Sequence, residues 1–195
     1  MTKMSHQLGR LICCAVLLVC SPLLQSQRVG SSASWKDTLQ SRLPLYGHRN
    51  WIVVADSAFP VYAEPGIETI AANADFASVL KSVAREIAAS RHVRGTVFLD
   101  KEIEFVEEQD YPGVPALRRT IATTFPTDQV SSIPHSEAMS RIAQAGTNYR
   151  VLFIKTTGRI PYSSVYIRLD CGYMSEEIER KISNAMEAAD KQGSQ

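Results

Sequence analysis

Seven polar residues fall where apolar strand runs begin or end: His48, Asp56, Asp100, His135, Tyr162, Ser163 and Ser164. Imidazole titrates near neutral pH, so either histidine can give or take a proton. A carboxylate such as Asp56 accepts two hydroxyl hydrogen bonds and fixes the orientation of a polyol. Opening a sugar hemiacetal calls on these operations. The anomeric hydroxyl loses a proton, the ring oxygen gains one, and the aldehyde rotates and recloses. The set therefore suits proton transfer on a polyhydroxylated ligand with no metal and no cofactor. Each residue also has a plainer reading. His48 can serve a turn or a cap, Asp56 can be a loop acid, His135 can fill the turn before a helix, and Tyr162 can be half-buried packing.

Other chemistries lack their residues. No glycine-rich phosphate loop follows a strand, and Gly-x-Ser-x-Gly, His-Glu-x-x-His and paired metal-ligand spacings are absent. Ser57 is not in a nucleophile elbow. With 21 basic and 20 acidic residues the net charge is +1, which gives no pull toward nucleic acid or an anionic membrane. The acidic stretch 101–110 reads as a solvated connection rather than a metal site.

The elements that must position these residues follow from periodicity. Trp51 to Ala55 is a continuous apolar run between Gly47-His48 and Asp56-Ser57, as a strand buried on both faces requires. Gly95 to Asp100 reads as a strand ending in an acid. Val130 to Ile133, Arg150 to Lys155 and Val165 to Leu169 complete the strand set. Between them lie helical stripes. Ser34 caps a short helix over 34–43 that Pro44 stops, and Asp75 caps a helix over 76–89. Pro115 opens a third helix to Thr124. A fourth, over 136–145, has Ser136 as N-cap and Gly146 as C-cap. Residues 61–75 read as irregular, with a turn at Pro65-Gly66. Ile178, Ile182 and Met186 mark a surface helix over 174–190 with a narrow apolar face, followed by a disordered tail. Strands alternating with helices predict a three-layer α/β/α domain.

The first 33 residues differ from the rest. Lys3 and Arg10 precede an apolar stretch, Leu11 to Leu24, and then a polar, small-residue segment; this is the order of a signal peptide cleaved after Ala33, with a retained N-terminal anchor as the alternative. The expected product is periplasmic or secreted, with no membrane contact beyond the signal. Cys13, Cys14 and Cys20 leave with it, so Cys171 remains as a lone, buried structural thiol. Seven residues in an extended run place His48 and Asp56 up to ~25 Å apart. The two reach one small ligand only if neighbouring subunits share the site, which predicts an oligomer.

These residues also carry a resemblance. Gly47-His48, the strand, and Asp56-Ser57-Ala58-Phe59-Pro60 resemble the N-terminal pattern of the D-ribose pyranase and L-fucose mutarotase family (RbsD/FucU). Thr157-Gly158, Pro161-Tyr162-Ser163-Ser164, Val165 to Leu169 and Gly172 are similar to its C-terminal pattern, and Ile133-Pro134-His135-Ser136-Glu137 to the start of its last helix. The similarity spans roughly 35–173, giving a domain over 34–173 and an extension over 174–195. It implies a cofactor-free sugar isomerase in which His48 is the acid/base. Asp56, His135, Tyr162, Ser163 and Ser164 would contact a free ribose- or fucose-like monosaccharide. It also implies homo-oligomeric rings, pentamers or stacked decamers. The chain departs from the pattern at Ser164, where the family usually has Asn, and at Met139, where ribose-type members carry Lys. A non-catalytic sugar-binding protein that kept the cleft is the alternative.

Overall fold

A computed structural model describes residues 34–193. The expected signal peptide over 1–33 and the last two residues of the tail lie outside the described residues.

Six strands form one sheet in the order β2-β5-β1-β6-β3-β4. They are β1 (Trp51–Ala55), β2 (Ile67–Ala71), β3 (Val93–Asp100), β4 (Val130–Ile133), β5 (Val151–Lys155) and β6 (Val165–Cys171). Five run in one direction, and β6 runs against its neighbours β1 and β3. The sheet is therefore mixed. Because β6 is reversed, the residues before it, Tyr162 to Ser164, reach the same end of the sheet as the residues after β1, β3 and β4.

Strand β1 is buried along its whole length, and its alternation sorts the core into two layers. Ile52 and Val54 face Leu39 of α1 (Trp35–Arg42), Leu80 and Val83 of α2 (Phe76–Ala89) and Ile121 of α3 (Val114–Thr124). Trp51, Val53 and Ala55 face Ala138, Ile142 and Ala145 of α4 (His135–Asn148). The expected three-layer α/β/α arrangement is thus present, with three helices on one face and one on the other. Each fully buried aliphatic side chain contributes about 1.5–3 kcal/mol. Ser34 caps α1 through a capping box with Asp37, and Asp75 caps α2 by accepting the Ser78 N–H.

Local expectations failed at five places. Residues 67–71, expected to be irregular, form edge strand β2 against β5; every side chain there keeps some exposure, so no clean alternation marks it. Helix α4 starts one residue early. Pro134 holds the N-cap place without a side-chain bond, and Glu102 accepts the His135 N–H at 3.0 Å, so Ser136 is not the cap. Gly146 is not a C-cap: α4 continues to Asn148, and a Cβ at Gly146 would lie 2.5 Å from Ile67 Cγ1. The acidic stretch begins as a 3-10 turn, Lys101–Phe105, whose Glu102 docks on α4 rather than facing only solvent. Cys171 is half-buried and unpaired at the end of β6, not a core thiol.

Helix α5 (Glu176–Gly193) lies beyond the sheet. Ile178, Ile182 and Met186 remain 46%, 47% and 63% exposed, so its apolar stripe has no cover within the protomer. Among the described residues no helix is long and apolar enough to cross a membrane.

Candidate functional site

The pairing register gathers most of the expected residues. Val54 lies opposite Val165, and Val165 opposite Leu99, so the next residues out are Ala55-Asp56, Ser164-Ser163 and Asp100 on three adjacent strands. At roughly 4.8 Å per strand these positions span about 10 Å. Ile133 of β4 pairs with Asp100, which brings His135 to the same rim. Asp56, His135, Tyr162, Ser163 and Ser164 therefore share one end of the sheet.

The most buried part of this rim is a residue that sequence reasoning noted but did not select. Asp100 is fully buried. Its Oδ1 lies 3.1 Å from His135 Nδ1, and its Oδ2 accepts the Tyr166 hydroxyl at 3.2 Å. The Oδ1–Nδ1 contact is close but poorly aligned, and both atoms lack a well-formed hydrogen bond. Burial raises the Asp100 carboxyl above the ordinary carboxylate range, and the adjoining His135 opposes that rise. The Tyr166 phenol is driven up by burial and then by the Asp100 charge, so it stays a donor. A carboxylate behind Nδ1 favours the tautomer that leaves Nε2 free to act on a ligand. The ring itself is a third exposed, with 36% of the side chain open.

Tyr162 packs edge-on against His135, with ring centroids 5.4 Å apart. Its φ of 55° is left-handed, which a bulky non-glycine residue adopts only at a cost of order 1–3 kcal/mol. That backbone holds the phenol 41% exposed at the rim. Ser163 and Ser164 are each 2% exposed. Asp56 accepts the Ala58 N–H at 2.8 Å on one oxygen, an Asx turn that fixes its side chain. Across β1, Lys155 donates to the Phe59 carbonyl, placing a cation behind the Asp56 loop. Met139 accepts the Tyr62 hydroxyl on its sulfur at 3.0 Å.

His48 is not among them. It stands before β1, at the opposite end of the sheet, as the separation along the strand required. Its Nδ1 lies 3.7 Å from Oδ1 of Asp170, a carboxylate only 10% exposed. Asp170 is fixed by Thr96 Oγ1 at 2.7 Å and by Arg168 at 3.2 Å. His48 and His135 thus stand at opposite ends of the sheet, each with an aspartate on its Nδ1 side. Asp100 was legible as an acid ending a strand. Tyr166 gave no local signal, since it sits inside the apolar run, and Asp170, just past the expected end of that run at Leu169, was passed over.

Comparison with solved structures finds this fold elsewhere. Bacillus subtilis RbsD complexed with D-ribose superposes with a TM-score of 0.52 at 17% identity, covering 74% of this chain and 98% of that one. The fucose mutarotase in complex with L-fucose from Streptococcus pneumoniae gives 0.48 at 13% identity, covering 76% and 99%. FucU from Bifidobacterium longum gives 0.47 at 16%, covering 69% and 92%. No curated protein matches by sequence. The RbsD / FucU transport protein family matches residues 34–174, the whole sheet and the helices that cover it. By that match the chain belongs to the RbsD/FucU family.

Proposed function

We propose that the protein is a cofactor-free monosaccharide mutarotase or pyranase-type isomerase, working as a homo-oligomer outside the cytoplasm. The observation that carries this reading is His135, backed by buried Asp100 and flanked by Tyr162 and Asp56 at one rim. Family membership and the sugar complexes of the structural neighbours agree with it.

In this reading the site lies between protomers. His48 of one protomer joins the rim of the next, in a ring of five or a stack of two such rings. One imidazole takes the proton from the anomeric hydroxyl while the other gives a proton to the ring oxygen. The C1–O5 bond breaks and the aldehyde forms. After rotation about C1–C2, the same two groups act in reverse, and the sugar recloses with both imidazoles restored. Asp56, Tyr162, Ser163 and Ser164 hold the hydroxyls. The carboxylates behind each Nδ1 keep both Nε2 atoms directed at the sugar.

The test is saturation-transfer NMR of anomeric exchange in ribose, fucose and other free sugars. Exchange above buffer that falls in His48→Ala and in His135→Ala supports the proposal; no acceleration with any sugar rejects it. A second reading, sugar binding without catalysis, is favoured by one observation. The two atypical positions are occupied within the protomer, Met139 by the Tyr62 hydroxyl and Ser164 by Tyr166. Calorimetric binding with no exchange would select it. Export predicts a mature N-terminus at Ser34, read by intact mass of the processed protein.

A further inference from the structure

Three arginines from separate elements line one cleft of about 510 Å³ at the His48 end of the sheet. Arg49 comes from the turn before β1, Arg141 from α4 and Arg168 from β6. No carboxylate lines this cleft. Trp51 lines it, and the Phe98 ring packs against Trp51 with centroids 5.6 Å apart. Arg141 and Arg168 both stack on Phe98, at 4.9 Å and 5.7 Å from its centroid, so their charges are no more than about 11 Å apart.

We propose that this cleft binds a tetrahedral dianion, a phosphate or phosphate monoester. Like charges are not gathered without an anion or carboxylates to offset them. Two of the guanidiniums have such an offset at the cleft's edge, Arg141 with Glu137 and Arg168 with Asp170. Arg49 has none among the described residues. It donates only to the neutral Tyr149 hydroxyl, at 3.0 Å. Because that oxygen accepts from Arg49, its own proton remains free for a ligand. Arg168 also keeps a buried Nε–H that no described group accepts.

The cleft is prepared rather than incidental. Arg49 sits at φ 73°, a left-handed conformation held by its backbone N–H on Leu169 O at 2.8 Å and by the 47–50 turn. This aims a long side chain across the sheet end. The simpler role, neutralising the carboxyl end of α4, does not fit the bonds formed. None of the three guanidiniums donates to an α4 carbonyl; they go to Tyr149, Glu137 and Asp170. Guanidinium forks also match phosphate geometry better than a point charge does. The proposal does not depend on the sugar chemistry at the other rim. It does meet that chemistry electrically, because an anion on Arg168 competes with Asp170, the aspartate behind His48.

The test is calorimetric titration of the full-length protein with inorganic phosphate, with ribose 5-phosphate and with ribose, at low salt and at 0.15 M salt. Arg49→Gln, Arg141→Gln and a remote control, Arg85→Gln, are titrated alongside, with Tm confirming that each is folded. Saturable binding of phosphate that weakens about tenfold or more in Arg49→Gln and Arg141→Gln, and not in Arg85→Gln, is expected. Ribose 5-phosphate binding more tightly than phosphate assigns the ester as the source; equal affinity assigns the free anion. Absent phosphate binding, or equal weakening in Arg85→Gln, overturns the proposal. If Arg49→Gln lowers Tm, phosphate must raise the wild-type Tm and leave the variant's unmoved. Equal shifts in both would assign Arg49 a structural role and overturn it.

Discussion

Replacing Asp100 with Asn tests whether the buried carboxylate makes His135 a working base. The amide keeps the volume of a side chain that is fully buried, and it can still meet Tyr166. What it loses is the negative charge 3.1 Å from Nδ1. Catalytic contacts that are misaligned in an empty site tighten around the ligand, and a hydrogen bond to a charged partner then contributes about 1.5–3 kcal/mol, so anomeric exchange should slow about 10- to 150-fold. The loss should fall on kcat more than on KM, since Asp100 does not reach the ligand. Stability should move the other way with pH. Burial raises the Asp100 carboxyl, so the folded state holds that proton more tightly than the unfolded chain. The stability this contributes is full below the ordinary aspartate value near ~3.9 and is lost as pH rises through the raised folded value. Urea titrations of the wild type should therefore show a decline over that window, and Asp100→Asn should lack it. Wild-type exchange rates in Asp100→Asn, or an unchanged pH slope, would refute the reasoning.

Three further outcomes follow from packing and burial. Gly66→Ala should cost about 3 kcal/mol or prevent folding, because its Cβ would lie 2.1 Å from the Gly146 carbonyl oxygen and 2.4 Å from that of Tyr149; a Tm within a degree or two of wild type would contradict this. The Tyr46 phenol is pushed up to about 12, by burial first and then by Glu68, so its stabilising contribution is full below pH 10 and lost as pH rises through about 12. Tyr46→Phe should remove about 2–3 kcal/mol of that alkaline loss in denaturant titrations across the window, and an unchanged slope would count against it. Removing residues 175–195 should leave the Tm of the domain unchanged, since the apolar residues of α5 stay exposed; a drop of several degrees would show that α5 is covered in the assembly.

Much of the fold could be read because burial on both faces leaves an unbroken apolar run. Trp51–Ala55 and Val151–Ile154 carry that signature, and both are central strands. Strand β2 could not be read, because Ile67-Glu68-Thr69-Ile70 at a sheet edge is half-buried throughout and follows a Pro-Gly turn. Gly146 looked like a helix stop because local propensity is blind to Ile67 packing against it. The site divided in the same way. His48, Asp56, His135 and Tyr162 flank strands, where composition changes sharply. Asp170 and Tyr166 are interior to β6, and only the antiparallel register reveals that they reach His48 and Asp100.

Whether adjoining protomers complete one site can be asked directly by mixing. His48→Ala and His135→Ala are each expected to be inactive as pure oligomers. Unfolded together, combined in equal amounts and reassembled, they should regain anomeric exchange at about a quarter of the wild-type rate, since each interface draws its two halves at random. Mixed oligomers that stay as inactive as either parent would contradict a site built from His48 of one protomer and His135 of the next.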